Sequence, residues 1–574
     1  MIKDQSVNTR LIFTAVFFLL VALAIIIRLF ILQIIENDYY STFALSTHEI
    51  YKQLYPERGQ IYFSDSRTGK EYPAAINRKY YLIYAVPKEI PRDMIQFTAD
   101  TLIQNLKIEK PEEKDLIIQK LTKQDDPYEQ IAKKIDDTAV DAIKEKKLTG
   151  IYFTPQTFRY YPEEAMGANI LGFCRSEDNT QTGNYGIEGY WNKILAGKGG
   201  FTAGQRGAFG NWISLAGRTM IEAENGPDVV LTIDRTLEYQ ACEALRQGFE
   251  EHKAKSAALV MMNPETGAIL AMCSFPDFNP NKYSEISDVS SYNNTTVFTP
   301  YEPGSVFKPI TMAMALDLEL ISPQTTFTDP CVRKIDGFSI RNAEDKCYGK
   351  ATMTNVLENS INTGVVFAEE LVGRERFIDY VKKFGLGEKT GIELTAESPG
   401  NISALDKNAK IYGATASFGQ GITVTPIQLA TIYSAIASQG NLPKPYIVDE
   451  IRYPNGKVEK TIPQITNNII SARASKLLSG MLISVVENGH SKSARIPHYF
   501  IAGKTGTAQI AGAGGYTDET NHTFAGFAPA KNPKIVIIVK LEAPNKLWAE
   551  STATPIFRKV MDFTIKYFGF PEEK

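Results

Sequence analysis

A serine and a lysine three residues apart are the first candidates for covalent chemistry in this chain. They are Ser305 and Lys308 in YEPGSVFKPITMAMALDL, and no other serine of the sequence has a lysine three positions further on. In a helix that starts at Ser305, both side chains would lie on one face about a turn apart. Pro309 favours this start, because proline is tolerated in a helix's first turn. Ser305 could then act as a nucleophile at a helix N-terminus, with Lys308 as its base if burial or a second cation lowers the pKa of Lys308.

Two further polar segments could complete such a site. The segment LENSINTGVVFAEEL puts Ser360 and Asn362 on a connection between two helical runs, where a hydroxyl and an amide could relay a proton and hold a substrate amide. The segment GKTGTAQ follows the apolar YFIA and is predicted to lie on a strand. Period-two alternation would place Lys504 and Gly506 on one face and Thr505 on the other, unless a twist at the glycine turns the threonines inward.

The tripeptide Lys-Thr-Gly occurs a second time, at Lys389–Gly391 in EKTGIEL. This copy follows YVKKFGLG, a predicted helix that ends in glycines, so we expect it in a solvated turn. The Gly-Lys-Thr of the other copy also resembles part of a phosphate-binding loop, which requires a glycine five residues before Gly503. That position is His498, which excludes a P-loop ATPase.

Composition and spacing exclude several other functions. Lys and Arg number 62 against 65 Asp and Glu, a formal charge of -3, which argues against nucleic acid as a partner. The sequence has no GxSxG and no histidine beside a suggestive serine, which argues against a Ser-His-Asp hydrolase. The five cysteines and five histidines lack the close spacing of metal ligands, so we expect no metal and no cofactor. The histidines are His48, His252, His490, His498 and His522.

The order of the three polar segments resembles that of the serine penicilloyl transferases, in which Ser-x-x-Lys is followed by Ser-x-Asn and then by Lys-Thr-Gly. The likeness extends along nearly the whole chain and is closest to the class B, monofunctional penicillin-binding proteins, particularly those of the septal type. The additional segments that carry it are ERGQIYFSD, PAAIN, RYYPEEAMGANILGF, GIEGYWNKILAGKGG and FGQGITVTPIQLATIYSAIASQG. The resemblance implies a peptidoglycan D,D-transpeptidase that is also a target of β-lactams.

The same resemblance implies a role for each catalytic side chain. Ser305 would attack the penultimate D-Ala carbonyl of a stem peptide, with Lys308 as the base, and the terminal D-Ala would leave. Ser360 would pass a proton to the leaving amine, and Asn362 would hold the peptide. Lys504 would tune the charge of the Ser360 and Lys308 pair.

Substrate binding is assigned by the resemblance to the strand that carries Lys-Thr-Gly. Thr505 and Thr507 would bind the terminal carboxylate, while Gly506 would let the substrate backbone pair with the strand edge. The backbone N–H groups of Ser305 and Thr507 would form the oxyanion hole.

A domain of α+β class must position these residues. Gly226 and Pro227 break the chain, so we expect a domain at 226–574 that begins with a strand at Val229–Ile233 and a helix at Thr236–Glu251. A predicted hairpin follows, and three more strands and a helix are predicted near the C-terminus. Strands from both ends with helices between them predict a sheet closed by the first and last segments, with a helical insertion in the middle. The resemblance implies that this sheet is antiparallel, with helices on both faces and a helical subdomain. Residues 36–225 carry no recognisable catalytic cluster, which indicates a structural or docking domain, and the resemblance implies an elongated α/β pedestal of dimerisation type.

The first residues predict a membrane anchor. Leu11–Ile35 carries Arg28 as its single charge and could cross a bilayer core of about 30 Å as a helix. Basic residues precede this segment and acidic residues follow it, which predicts a cytoplasmic tail at 1–10 and an extracytoplasmic remainder. The expected location is the bacterial cell membrane, with a single pass. A cleaved signal peptide is the competing interpretation, since Ala22 and Ala24 form a weak cleavage pattern.

Cys331 and Cys347 are separated by one short polar stretch. They would form a disulfide in an oxidising compartment, and the alternative is two ordinary thiols.

Several functional alternatives stay open at this stage. Lateral-wall rather than septal synthesis is one, although YEPGS resembles the division type through Glu302. A D,D-carboxypeptidase shares the chemistry, and a β-lactam receptor or an inactive division scaffold would share the fold. A β-lactamase would need a carboxylate that activates water, and nothing in the sequence marks one. The expected partners are stem peptides, β-lactams, a membrane glycan polymerase and division or elongation proteins.

Overall fold

The computed structural model describes residues 49–177, 180–205, 219–512 and 514–574, together with separate helical positions between 16 and 30. The chain divides into two compact units, Met1–Glu57 with Gly197–Asn225 and Arg58–Ala196 with Gly226–Lys574. Most of the predicted anchor Leu11–Ile35 and the whole tail before it lie outside the described residues. Within the described residues, no helix combines the length and apolar character needed to cross a bilayer.

The secondary structure before residue 226 mixes short helices and strands. Its strands are β1 (Glu49–Leu54), β2 (Ile61–Ser64), β3 (Glu71–Ala85), β4 (Glu129–Ile135), β5 (Ile151–Tyr160), β6 (Phe173–Glu177), β7 (Thr180–Asn184), β8 (Gly200–Gln205) and β9 (Thr219–Ile221). Its α-helices are α1 (Ile95–Asn105), α2 (Pro111–Leu121), α3 (Asp137–Glu145), α4 (Ala168–Leu171), α5 (Gly186–Tyr190) and α6 (Asn192–Leu195). The first compact unit contains an antiparallel sheet in the order β1, β8, β9.

Longer helices follow residue 226. The strands are β10 (Asp228–Asp234), β11 (Ser256–Met262), β12 (Ile269–Phe275), β13 (Thr326–Thr328), β14 (Val332–Ile335), β15 (Phe338–Arg341), β16 (Lys350–Thr352), β17 (Leu442–Pro443), β18 (Val448–Arg452), β19 (Val458–Lys460), β20 (Ile465–Thr466), β21 (Ala502–Gly512), β22 (Gly515–Ala528) and β23 (Ile535–Glu542). The α-helices are α7 (Arg235–Glu251), α8 (Thr295–Phe298), α9 (Lys308–Asp317), α10 (Met353–Glu358), α11 (Asn362–Val372), α12 (Arg374–Lys383), α13 (Lys410–Ser417), α14 (Pro426–Ala437), α15 (Ala472–Glu487) and α16 (Ala553–Phe568).

A mixed sheet joins strands from both sides of residue 226. Its order is β19, β18, β10, β2, β3, β4, with β5 also paired to β3. The pair β2 and β10 is parallel, and the other pairs are antiparallel. The break at Gly226 and Pro227, where the sequence predicts a domain boundary, therefore leads into a strand that pairs with β2.

Three charged residues from segments that carry the family resemblance meet in the interior. Glu188 is fully buried, and its two carboxylate oxygens accept from Nε of Arg159 at 2.6 Å and Nε of Arg58 at 2.7 Å. Burial by itself would raise the pKa of Glu188, but the two guanidinium groups outweigh it and lower this pKa to about 2. The cluster ties β5, α5 and the segment before β2 together.

The sheet that supports the catalytic segments is antiparallel throughout. Its order is β12, β11, β23, β22, β21, so strands from the two ends of the 226–574 segment lie side by side. The apolar run of β11 is buried on both faces: Leu259 packs among residues of α7 and α16, and Val260 packs in the cluster that includes α9 and α14. A near-continuous apolar strand is what two covered faces require. The chain between β12 and β21 supplies the helical subdomain.

Two disulfides are present. Cys331 and Cys347 are bonded, which closes the loop that carries β14 and β15. Cys242 on α7 and Cys273 on β12 form a second bond that the sequence analysis did not foresee, because 31 positions separate them and no spacing rule links them. Glu238 adjoins the two sulfurs in a cluster of metal-ligating residue types, but sulfurs in a disulfide offer no thiolate.

Candidate active site

The segment of Ser305 is a tight turn that leads into a helix. Gly304–Phe307 form a 3-10 helix, and α9 continues from Lys308 with Pro309 in its first turn. Gly304 has a φ of 59°, and a Cβ on it would come within 2.9 Å of the Cβ of Ala508 on β21. Glycine is therefore required where the turn passes the strand, and Ser305 lies half-buried at the start of the helical segment.

Lys308 lies beneath this turn and is fully buried. Its Nζ donates to the backbone carbonyl of Ser360 and, at 3.0 Å, to the Ser360 hydroxyl. No hydrogen bond joins Nζ to the Ser305 hydroxyl in the described part of the chain. Burial and the positive charge of Lys504 lower the pKa of Lys308 well below its ordinary value.

Ser360 and Asn362 occupy the connection between α10 and α11, as the sequence predicts. Ser360 has a φ of 55°, a conformation that non-glycine residues seldom adopt and that the surrounding contacts must maintain. Asn362 is the first residue of α11, and its Nδ2 donates to the carbonyl of Arg341 at 2.7 Å. Its side chain lines the cleft.

Strand β21 carries Lys504–Gly506, the copy of the Lys-Thr-Gly tripeptide that lies at the site. Lys504 and Gly506 are buried, whereas Thr505 and Thr507 are half-buried and line the cleft, so the side chains alternate along the strand. A Cβ on Gly506 would lie 2.8 Å from the carbonyl oxygen of Pro303. The turn of Ser305 thus packs directly on this glycine, which brings Ser305 and the strand together.

Lys504 is the second buried lysine of the site. Its Nζ donates to the Thr505 carbonyl at 3.1 Å and lies 3.5 Å from the Thr505 hydroxyl. Burial lowers the pKa of Lys504 to about 7, against the opposing effect of the carboxylate of Glu550. The charge of Lys504 in turn makes Lys308 harder to protonate.

These segments enclose a cleft of about 580 Å³. Ser305, Ser360, Asn362, Thr505 and Thr507 all line it, and Lys308 and Lys504 lie in the layer beneath. The second Lys-Thr-Gly copy is not part of the cleft. Lys389 is exposed in a loop, and Thr390 there donates to the carboxylate of Glu397, in agreement with the predicted solvated turn.

Sequence reasoning missed several residues of the cleft. His490 and Lys492 follow α15, Trp548 and Glu550 precede α16, and Glu344 lies in the disulfide-closed loop. None of them belongs to a short motif, and their separation in the chain hides their proximity. A carboxylate before the closing helix, in LWAESTATPIF, is a signal that a search for charged residues near the last strand could have found.

Glu302 links the nucleophile turn to the tip of the β21–β22 hairpin. Its carboxylate accepts from the Tyr516 hydroxyl at 3.0 Å and from the Gly421 N–H at 3.0 Å. Glu302, on which the resemblance to the division type depends, therefore connects the turn before Ser305 to Gly421 and to Tyr516 on β22.

Comparison with known proteins decides the family. Residues 257–562 match the family described as the penicillin binding protein transpeptidase domain. The chain belongs to the penicillin-binding proteins. Residues 53–231 of this penicillin-binding protein match the penicillin-binding protein dimerisation domain. The combination confirms the class B assignment made from the sequence, and this penicillin-binding protein is an enzyme of the D-Ala-D-Ala transpeptidase type.

Relatives match over most of their length. This penicillin-binding protein is 32% identical to "Stage V sporulation protein D" of Bacillus subtilis over 584 residues, which covers 100% of this chain and 88% of the relative. It is 29% identical to "Peptidoglycan D,D-transpeptidase FtsI" of Escherichia coli K12 over 435 residues, 75% of this chain and 71% of the relative.

Solved structures share the fold. Penicillin binding protein 2X from Streptococcus thermophilus superposes with a TM-score of 0.74 at 22% identity, over 90% of this chain and 80% of that one. Penicillin binding protein 3 from Mycobacterium tuberculosis, in complex with aztreonam, superposes with a TM-score of 0.70 at 24% identity, over 91% of this chain and 98% of that one. The predicted mixed α+β transpeptidase fold with a dimerisation domain is confirmed.

Proposed function

We propose that this enzyme cross-links peptidoglycan stem peptides through an acyl-enzyme at Ser305, in septal wall synthesis. The observation that carries the proposal is the convergence of three distant segments, those of Ser305, Ser360 and Lys504, on one cleft above two buried lysines. The segments supply a nucleophile, a hydroxyl relay and a strand edge, which are the parts that acyl transfer between peptides needs.

In the acylation step, the Ser305 hydroxyl attacks the carbonyl of the penultimate D-Ala. Lys308, whose pKa is lowered by burial and by Lys504, is available in its neutral form to take the hydroxyl proton. The hydrogen bond between Lys308 and Ser360 provides the route by which that proton reaches the amine of the departing D-Ala. Lys308 thereby returns to its neutral form.

Strand β21 binds the donor peptide. Thr505 and Thr507 present hydroxyls to the cleft for the terminal carboxylate, and the edge of β21, the last strand of its sheet, accepts a peptide in extended form. Backbone N–H groups of Ser305 and Thr507 stabilise the oxyanion, each such donor contributing about 3 kcal/mol to the transition state. Asn362 Oδ1 accepts from the donor peptide.

In the second step, an amine on the stem peptide of a neighbouring peptidoglycan strand attacks the acyl-enzyme carbonyl. The new amide bond forms as the ester to Ser305 breaks, and the proton of the amine returns to the serine oxygen through Lys308. Transfer to water instead would make the enzyme a carboxypeptidase.

The proposed location is the outer face of the cell membrane, with the anchor Leu11–Ile35 and a cytoplasmic tail. The support is the apolar run with basic residues before it and acidic residues after it. A glycan polymerase of the membrane is the proposed partner, since residues 53–231 match a dimerisation domain and no recognisable glycosyltransferase motif occurs before residue 226. The septal role is supported by similarity to the FtsI-named relatives.

Mass spectrometry of the full chain after incubation with a labelled penicillin tests the nucleophile. We expect one adduct on the peptide that contains Ser305, and its loss in Ser305→Ala. The matched control is Ser339→Ala, an exposed serine on β15, which should still be labelled. An adduct that survives Ser305→Ala would overturn the assignment.

A stem-peptide thioester with a D-amino acid acceptor distinguishes transfer from hydrolysis. We expect aminolysis product to exceed acid product when the acceptor is in excess. Hydrolysis that is insensitive to the acceptor would show that the chain is a carboxypeptidase, with Ser305 still the nucleophile.

A further inference from the structure

A buried carboxylate behind the cleft has no place in the mechanism above. Asp329 lies just before the disulfide-closed loop and is 5% exposed. Its Oδ1 accepts from the Thr363 hydroxyl at 2.6 Å and the Cys331 N–H at 3.0 Å, and its Oδ2 accepts from Asn342 Nδ2 and the Tyr348 N–H, each at 2.9 Å. A carboxylate taken out of water needs such donors, because burying it without them is costly.

Asn342 extends this network to the backbone of α11. Its Oδ1 accepts from the Thr363 N–H at 3.2 Å and lies 3.3 Å from the Thr363 hydroxyl. Its Nδ2 donates to the Lys346 carbonyl at 3.0 Å as well as to Asp329. Asn342 is 5% exposed and Thr363 is fully buried, so water competes little for these contacts. The network therefore ties the disulfide-closed loop to the second residue of α11.

The neighbours of these network residues contact Asn362. Arg341 ends β15 and precedes Asn342, and its carbonyl accepts from Asn362 Nδ2 at 2.7 Å. Asn362 itself precedes Thr363 at the start of α11. The backbone of Asn362 and the partner of its side chain are thus both attached to residues that Asp329 holds. In the mechanism above, the other atom of this side chain, Oδ1, accepts from the donor peptide.

Ser360 is held by other contacts. Its carbonyl and its hydroxyl accept from Lys308 on α9, and the Ile361 N–H after it donates to the Val356 carbonyl of α10 at 2.9 Å. None of these contacts involves the disulfide-closed loop. The connection between α10 and α11 therefore has two separate supports, one for the proton relay and one for the residue that holds the peptide.

We propose that Asp329 is a positioning residue for peptide binding: through Thr363 and Asn342 it fixes the orientation in which Asn362 presents Oδ1 to the amide of the donor peptide. A misplacement of about 1 Å at such a contact can cost about 100-fold in rate. Attack by Ser305 and binding of the terminal carboxylate depend on residues outside this network. The inference rests on the proposed function, because it assigns a support to one residue of that site.

Two β-lactams test the inference in the full chain. Benzylpenicillin carries a side-chain amide beside its lactam ring, whereas penicillanic acid has the same bicyclic ring and carboxylate without that amide. In Asp329→Asn, an N–H donor replaces an oxygen that accepts hydrogen bonds, so the network is broken. We expect acylation of Ser305 by benzylpenicillin to fall by about tenfold to 100-fold, and acylation by penicillanic acid to change by less than about threefold. Mass spectrometry of the intact chain at timed intervals measures both rates.

A second pair of variants changes the network from the side of α11. Thr363→Val keeps the shape of the side chain but removes the hydroxyl that donates to Asp329, so it should show the same difference between the two β-lactams. Thr363→Ser retains the hydroxyl and should acylate at the wild-type rate with both. If Asp329→Asn does not fold, Thr363→Val decides the question by the same comparison.

Asp336→Asn is the matched control. This carboxylate lies exposed in the same disulfide-closed loop and accepts from the Ile411 N–H, away from the network. Its replacement should leave both acylation rates unchanged.

Three results would overturn the role of Asp329. The first is benzylpenicillin acylation at the wild-type rate in folded Asp329→Asn, and the second is an equal loss with both β-lactams, which general damage to the fold would produce. The third is failure of Asp329→Asn and Thr363→Val to fold while Thr363→Ser folds, which would make the network a requirement of folding alone. A wild-type chain that forms no adduct on Ser305 would instead contradict the proposed function.

Discussion

The Nζ of Lys308 donates to two oxygens of one residue, the backbone carbonyl and the hydroxyl of Ser360. This double contact orients the base of the proposed mechanism and fixes the relay hydroxyl beside it. It involves a residue with an unusual backbone, since Ser360 has a φ of 55°. The base is thus positioned by a residue 52 places further along the chain.

The first prediction concerns the charge state of Lys308. Because its pKa is lowered by burial and by Lys504, the neutral amine is present below the ordinary lysine range. The rate of Ser305 acylation should therefore rise with pH on the acid side and level off well below pH 10. Lys308→Met should lower the rate by about 100-fold to 10,000-fold, as for loss of a general base. A stopped-flow pH profile measures both, and a plateau first reached near pH 10 would contradict the lowered pKa.

The second prediction compares the two Lys-Thr-Gly copies. Lys504→Met should reduce acylation by at least about tenfold, because the charge beneath the substrate-binding strand is lost. Lys389→Met changes the same tripeptide in an exposed loop and should leave acylation and thermal stability unaltered. Penicillin labelling of both variants at matched protein concentration gives the comparison. Equal losses would mean that the strand copy has no special role.

The third prediction concerns the contact between β21 and the nucleophile turn. In Gly506→Ala, the added methyl group would lie 2.8 Å from the Pro303 carbonyl oxygen. The turn must shift, at a cost of about 1 to 3 kcal/mol in the free energy of unfolding, and acylation should fall with it. Gly514→Ala is the matched control, since nothing lies within 4 Å of its Cβ. Urea unfolding and labelling rates check both effects, and an unaffected Gly506→Ala would exclude the close approach.

The fourth prediction concerns the buried carboxylate of Glu188. Glu188→Gln leaves two buried guanidinium groups uncompensated and should lower the free energy of unfolding by about 3 to 5 kcal/mol. The matched control Glu163→Gln affects a half-exposed ion pair with Arg235 and should cost about 0 to 1 kcal/mol.

The pKa of Glu188 also predicts the pH dependence of stability. A folded-state pKa near 2 lies below that of an unfolded glutamate, so the stabilisation is complete above the unfolded value of about 4.3 and disappears as pH falls toward 2. Wild-type stability should therefore decline over this interval more steeply than that of Glu188→Gln. Parallel curves would contradict the ion-pair account.

The local parts of the site could be predicted from the sequence. The three-residue spacing of Ser305 and Lys308 with Pro309 after them indicates the start of a helix, and α9 begins at Lys308. The alternation along GKTGTAQ separates Lys504 from Thr505, as the strand has them. The hairpin of β11 and β12 and the three closing strands also follow from apolar runs and turn residues. Each of these features depends on neighbours within a few residues.

Only the tertiary structure decided which distant segments meet. It paired β10 with β2 across the break at Gly226, and it joined Cys242 to Cys273. It also placed Glu550 in the cleft with Thr505 and Thr507, although no motif contains that carboxylate. Periodicity and turn chemistry are local properties, so the sequence by itself determined the elements and the catalytic residue types. Contacts between elements depend on how whole faces pack, and no short pattern encodes them. The pKa values of Lys308 and Lys504 are lowered by burial, so their direction could be inferred only from the folded chain.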